Sequence, residues 1–367
     1  MKITDIKVSV HKFDPRLPLT GTPAGDSMRV VCELFTDEGH VGIGMASKFL
    51  THGVAACVTN HLFPAVKGTD PRDLERIHAV LHPLISERGM MSGINLAALS
   101  CIDIACWDII GKAQGRTVAQ LLGGHKDYAD VYVTYGFGAY SADQLVELGR
   151  KLMDEGHTRL KMLVGVAKGG YREDAARVRH VRRELGDDLM LALDANESLA
   201  LEDAVQLCRL IEDCEIAWLE DPLRRNDPRD MAMLRKRTTI PLSAGQMDGH
   251  SHRFREFLEH DAIDIFMPNS LYNGGISETR RVAHLSQIYN RPLSDAGGGG
   301  IFSLHHVAGF RNGTLAECHL GVEQVEQALF LDCPLPVNGR LMVPTAPGLG
   351  VTLNHDVMKD TKQTSLS

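Results

Sequence analysis

Residues 2–11 alternate polar and apolar, the two-residue period of a half-buried strand, and residues 29–35 read as a second strand. A turn at Asp37-Glu38-Gly39-His40 leads into Val41-Gly42-Ile43-Gly44, so the chain opens as a small antiparallel meander. Between its first two strands, residues 15–28 are rich in Pro, Gly, Thr and Ser and read as a mobile loop, either a plain connector or a lid. From about Leu74 to Leu122 the pattern turns helical. Residues 95–114 are apolar on most faces, as a buried helix is, and Gly123-Gly124 closes the helical region at a domain boundary.

After Asp130 apolar runs and amphipathic stretches alternate. Strands are expected at 131–135, 159–164, 190–193, 217–219, 240–243, 262–267, 291–294 and 314–318, with helices such as 141–155, 172–185, 201–211 and 277–289 between them. Successive strands start about 20 to 30 residues apart, the length of a βα unit, and continuous apolar strands flanked by helices imply a parallel sheet covered on both faces. Eight units point to a closed barrel. A doubly wound open sheet is the alternative, though no G-x-G-x-x-G follows the first strands. After about Gly321 the alternation stops. Residues 334–351 read as short strands and turns, with Asn338-Gly339 a hairpin turn, expected to return to the N-terminal domain, and the polar residues 359–367 as a frayed end.

The length changes this picture only by fitting it: 367 residues hold a barrel of about 250 residues and a second domain. A net charge of −8 lacks the electrostatic footprint of a nucleic-acid binder. The eight cysteines form no CxxC pair and lie mostly in apolar surroundings, which reads as buried, reduced thiols. No signal-peptide core and no segment long and apolar enough to span a bilayer is evident, so a soluble cytoplasmic protein is expected.

The chemistry concentrates at the ends of consecutive strands. Asp194 ends one apolar run, Glu220 the next, and Gln246 follows the third. Oxygen groups at the C-terminal ends of neighbouring barrel strands share one mouth, where a hard cation such as Mg²⁺ suits two carboxylates and an amide. The Gly297–Gly300 run before a helix near Ile301 is either a backbone cradle for an anion or a flexible loop.

Taken in order, the meander, ACWDIIGKAQGRTVAQLLGG, LDAN, WLEDPL, GGISE and VPTAPGLGV resemble the enolase superfamily, specifically its mandelate racemase and muconate-lactonizing branch, over nearly the whole chain. The resemblance implies an α/β fold: a modified (β/α)7β TIM-type barrel (residues 126–320) under an α+β N-terminal capping domain (1–125, lid loop about 15–28), with 321–367 returning to the cap. It implies enolisation of a carboxylate bound to Mg²⁺, leading to racemisation, dehydration or cycloisomerisation.

Residue by residue, Asp194 and Glu220 match metal ligands, and Gln246 stands where the third ligand is a glutamate, so one negative charge is missing. Asp248 is a candidate substitute. Asn196 and Lys161 match substrate-binding positions. The usual base of the K-x-K strand is replaced by Leu163, the Asp of the opposed Asp–His dyad by Asn269, and its His by Ala296, with Asp295 one residue earlier. Glu317 stands where relatives keep an oxyanion-binding glutamate, and His305, His306 and His319 are further titratable candidates. The catalytic candidates are therefore Lys161, Asn269, Asp295 and Glu317. The expected function is a dehydratase or isomerase of a hydroxy acid or sugar acid using a non-standard base, and the alternative is a non-catalytic homologue that binds a small acid or has a regulatory role. The partners expected are a small carboxylate-bearing molecule and further copies of the chain, with neither nucleic acid nor membrane.

Overall fold

The structure, a computed structural model, describes residues 1–25, 28–86 and 92–363. The opening meander is β1 (Ile3–Lys12), β2 (Met28–Thr36) and β3 (Val41–Ser47), antiparallel throughout. Its sheet packs on the helix Ile94–Gln114, which is buried nearly all round and ends at Gly115 in the left-handed conformation. Contact is at backbone level: a Cβ at Gly44 would overlap the carbonyl oxygen of Cys101, so only glycine lets strand and helix meet there. This helix is long and apolar enough to cross a membrane by length and composition, contrary to the sequence expectation. Its window is 89% buried inside the protein, which identifies it as a core helix. A helical stretch from Thr51 to Val66, with a π-helical turn at Val58–Leu62, was not legible in the hydrophobic pattern.

The parallel strands follow: β4 (Tyr128–Gly136), β5 (Arg159–Leu163), β6 (Met190–Asp194), β7 (Ile216–Glu220), β8 (Leu242–Ala244), β9 (Ile265–Phe266) and β10 (Leu315–His319). They pair in sequence order, and β10 returns to pair with β4. The expected strand 291–294 is reduced to single bridges at Leu293, to Phe266 on one side and Gly313 on the other, and these complete the ring. Amphipathic helices cover the strands; that at Ala142–Asp154 begins in a capping box between Ser141 and Gln144.

The last segment differs from its expectation. The helix Leu320–Leu329 follows β10 without a loop, so the alternation runs one helix further than its pattern implied. Asn338 and Gly339, both at positive φ, form the hairpin turn. The strand after it, β11 (Arg340–Met342), pairs antiparallel with β4 of the barrel. The segment meets the cap both before it, where Gln324 Nε2 donates to the Arg16 carbonyl at 2.9 Å, and beyond it, where Leu349 N–H donates to Asp108 Oδ1 at 2.8 Å. The end is not frayed through residue 363: the helix His355–Thr361 leads into β12 (Lys362–Gln363), which pairs with β1. The remaining residues expected to fray, 364–367, lie outside the described residues.

The cap–barrel seam is tied by the long helix. Asp103 takes His78 Nε2 at 2.7 Å and Ser277 N–H at 3.0 Å, and Trp107 Nε1–H donates to Ser277 Oγ at 2.9 Å. His305 makes a second tie. Its Nδ1 accepts the Ala119 N–H at 3.1 Å and its Nε2 donates to the Leu349 carbonyl at 3.0 Å, a use that fixes the neutral tautomer.

Candidate active site

Parallel pairing sets the strand ends level: Leu163 pairs with Asp194, Asp194 with Glu220, and Glu220 with Ser243. Strand alternation carries Ala192 and Trp218, two residues earlier, onto the same inward face. There Tyr132, Ala192, Trp218, Met267 and Ala296 form a separate apolar cluster that plugs the barrel. Lys161 rises past it, its ammonium 5.2 Å over the Tyr132 ring.

Above the plug the ammonium of Lys161 meets three carboxylates: Glu220 Oε2 at 2.7 Å, Glu317 Oε1 at 3.0 Å and Asp194 Oδ2 at 3.4 Å. All four side chains are buried. With every group ionised the cluster carries two net negative charges. Burial pushes the Asp194 and Glu220 carboxyls up against the pull of Lys161, most strongly at Glu220. Burial also opposes the charge on Lys161, yet the three carboxylates hold its pKa well above the ordinary lysine value. Glu317 goes down: burial raises it, but Lys161, His319 and the Thr134 hydroxyl outweigh that. It also accepts the Gly298 N–H at 2.7 Å and the Thr134 Oγ hydrogen.

Two buried oxygens here have no hydrogen-bond partner among the described residues, Glu220 Oε1 and Ser243 Oγ. A buried carboxylate oxygen facing no donor suits a cation as its partner. The donor set of Asp194, Glu220 and the Gln246 amide is that of a hard, oxygen-seeking ion, so these residues fit Mg²⁺.

A cavity of about 210 Å³ opens above the cluster, lined from the barrel by Asp194, Asn196, Gln246, Glu317 and His319, and from the cap by Lys48, Ala24 and Gly25. At ~30 Å³ per water molecule this is room for about seven waters, the scale of a small organic acid. The loop expected as connector or lid thus forms one wall, held by Tyr140 Oη–H on the Pro18 carbonyl at 2.7 Å. Asp26 and Ser27 of that loop lie outside the described residues.

Each candidate has a definite place. Asp194, Gln246, Asn196 and Glu317 come together at the mouth, and Glu220 lies just beneath. The Asn196 N–H donates to Asp194 Oδ1 at 2.8 Å. Lys161 does not line the cavity; instead of facing a substrate carboxylate it neutralises the protein's own. Asn269 spends its amide locally, donating to the Ala296 carbonyl at 2.7 Å and accepting the Leu271 N–H at 2.9 Å. Asp295 points out of the barrel to the Ser303 hydroxyl and to His306 at 3.5 Å, away from the cavity. The cause is strand alternation, since Ala296 takes the inward position.

Asp248 does not stand in for a ligand: it is held by Arg253 Nε at 2.9 Å and Asn226 Nδ2 at 3.3 Å. His305 and His306 are buried in the outer layer, away from the mouth. His319 is at the cavity, where its Nδ1 accepts the N–H groups of Gly321 and Val322 and caps the following helix. The glycine run is not an open anion cradle, because the Gly298 N–H serves Glu317; a Cβ at Gly297, at positive φ, would overlap the amide nitrogens of Asn269 and Gln246. Lys48 was missed. It follows a cap strand far from any site motif, and only the folded seam brings it to the mouth.

Fold and site together define a capped β/α barrel with a carboxylate cage at the C-terminal ends of its strands. Residues 6–123 match the family described as mandelate racemase / muconate lactonizing enzyme, N-terminal domain, and residues 144–357 match the enolase C-terminal domain-like family. The chain belongs to the mandelate racemase/muconate lactonizing branch of the enolase superfamily. Among its relatives, an arabinonate dehydratase of Saccharolobus solfataricus is 28% identical over 342 residues, 91% of this chain and 90% of that protein. Among solved structures, the 3,6-anhydro-D-galactonate cycloisomerase from Zobellia galactanivorans superposes with a TM-score of 0.89 at 27% identity, covering 99% of this chain and 100% of that one. A mandelate racemase/muconate lactonizing enzyme from a marine actinobacterium, in complex with magnesium, superposes at 0.88 with 25% identity over 99% of both chains.

Proposed function

We propose that the protein enolises the carboxylate of a sugar acid or hydroxy acid with the help of Mg²⁺, as a dehydratase or isomerase whose base is not the family's usual one. The observation that carries this reading is the buried cluster of three carboxylates around one lysine, with Glu220 Oε1 unpartnered among the described residues. Such a cluster has a net charge that one divalent cation offsets. Asp194, Glu220 and Gln246 would hold Mg²⁺, which would bind the substrate carboxylate and stabilise the negative charge that builds as the α-proton leaves.

The chain's own groups supply the rest. Lys161 holds the carboxylates in place through its ion pairs, and Asn196 at the rim offers an amide to substrate oxygens. His319 stands at the cavity with Nδ1 accepting the Gly321 and Val322 N–H groups. Lys48, the amine that the cap brings to the cavity, is read as the base. Racemisation by two opposed bases is not expected, because Leu163 and Ala296 occupy the two positions. The protein is read as cytoplasmic and as a homo-oligomer.

The same two apolar residues favour a second reading, a non-catalytic homologue that binds a small acid. Solvent exchange separates the two. In D2O with Mg²⁺, a panel of aldonates, aldarates and simple hydroxy acids is expected to include one that gains deuterium at the α-carbon, and Lys48→Ala to abolish the exchange while binding persists. Saturable binding of an acid with no exchange for any member of the panel establishes the second reading.

A further inference from the structure

A second cluster of ligating side chains lies at the seam, apart from the barrel mouth. His78 and His82 are one helical turn apart on the helix Leu74–Ser86, on the same face. Glu278 reaches them from the barrel helix Ile276–Ile288. One ligand atom from each of the three lies within 4.8 Å of the others. The two imidazoles meet nitrogen to nitrogen, His78 Nδ1 to His82 Nε2, at 3.1 Å. Two nitrogens each ~2.1 Å from one ion at tetrahedral or octahedral angles stand ~3.0–3.4 Å apart, so the spacing is already that of a shared metal.

Three further observations point the same way. The far nitrogen of His78 is held by Asp103 at 2.7 Å, the carboxylate–histidine arrangement that orients a metal-binding imidazole and aims Nδ1 at the site. His250, side chain 9% exposed, places Nε2 2.9 Å from Glu278 Oε2 at an angle that makes no hydrogen bond, and this nitrogen has no hydrogen-bond partner among the described residues. Its ring stands 5.5 Å from that of His82. Arg281 also contacts Glu278, on Oε1, and the Ser251 N–H contacts Oε2 at 3.2 Å.

We propose that His78, His82 and Glu278 form a second metal site, for a divalent transition ion of the Zn²⁺ class, bridging the capping domain and the barrel. Imidazole nitrogens select such ions, whereas the all-oxygen set at the mouth suits Mg²⁺, so the two sites take different metals. The ion joins the cap helix to the barrel helix beside the short loop that runs from Gln246 to His250. It therefore anchors the loop that carries the amide ligand of the active site. The site stands whether or not the barrel mouth is catalytic.

The test uses Co²⁺ as a spectroscopic probe on the full chain, with saturating Mg²⁺ present to fill the oxygen site. Wild type is expected to bind one Co²⁺ with the visible absorption of nitrogen ligation, and Zn²⁺ to displace it and raise the melting temperature. His82→Ala is expected to weaken Co²⁺ binding at least ~100-fold and to remove the Zn²⁺-dependent rise. Asp194→Asn is expected to keep the Co²⁺ band, since it alters only the mouth. His82 is only part-buried, so this variant should fold; should it not, the wild-type titration decides alone. No nitrogen-ligated Co²⁺ band in wild type, or a band that survives in a folded His82→Ala protein, overturns the proposal.

Discussion

The ammonium of Lys161 lies 2.7 Å from Glu220 Oε2, while the other oxygen of that carboxylate accepts no hydrogen bond among the described residues. One half of the side chain is neutralised by the protein and the other half is left for something else. Stability and ligand binding therefore meet in one residue.

Removing the lysine exposes the balance. Lys161→Met leaves three buried carboxylates without their cation, and breaking a buried ion pair from one side costs about 3–5 kcal/mol. Urea denaturation without divalent metal should show that loss. A variant as stable as wild type would mean the carboxylates are protonated in the folded protein.

Gln246→Glu restores the charge absent from the expected ligand set. A further carboxylate at a hard-cation site should tighten Mg²⁺ about tenfold or more, equivalent to about 1.4 kcal/mol. Calorimetric titration measures it directly, and an unchanged affinity would remove Gln246 from the ligand set.

His305 sets a pH dependence. Burial lowers its pKa from 6.5 to about 4, against the Leu349 hydrogen bond. The unfolded chain therefore takes up a proton below pH 6.5 that the folded chain refuses. Its contribution is fully present above pH 6.5 and is lost as pH falls toward 4, by roughly 3 kcal/mol. Stability curves of wild type and His305→Gln should converge over that interval.

Gly44→Ala tests the backbone contact in the cap. The new methyl would overlap the Cys101 carbonyl, and overpacking of this kind costs about 1–3 kcal/mol or more. A drop in melting temperature is expected, with the barrel's helical signal retained.

Much of the architecture was legible because it obeys simple periods. The strands ending at Asp194 and Glu220 are continuous apolar runs, and a parallel sheet buried on both faces demands that. The strand at 291–294 is shorter than its pattern implies because one bridge on each side of Leu293 is enough to close the ring. At the site, residues that share a strand end, such as Asp194 and Glu220, were readable from the ends of consecutive apolar runs. That three carboxylates converge on Lys161 was not legible, because nothing in a linear chain states it. Lys48 was invisible for the same reason, as were the partners of Asp248: these contacts join segments far apart in the chain.

The cavity has two owners. Its floor belongs to the barrel strands, while Ala24, Gly25 and Lys48 belong to the cap. The proposed metal-binding carboxylates thus lie on the barrel and the proposed base Lys48 on the cap, separate stretches of chain that can be inherited separately. A hybrid joining the cap of one relative to the barrel of another would keep the carboxylates of the second and take on the cavity wall and the position-48 residue of the first.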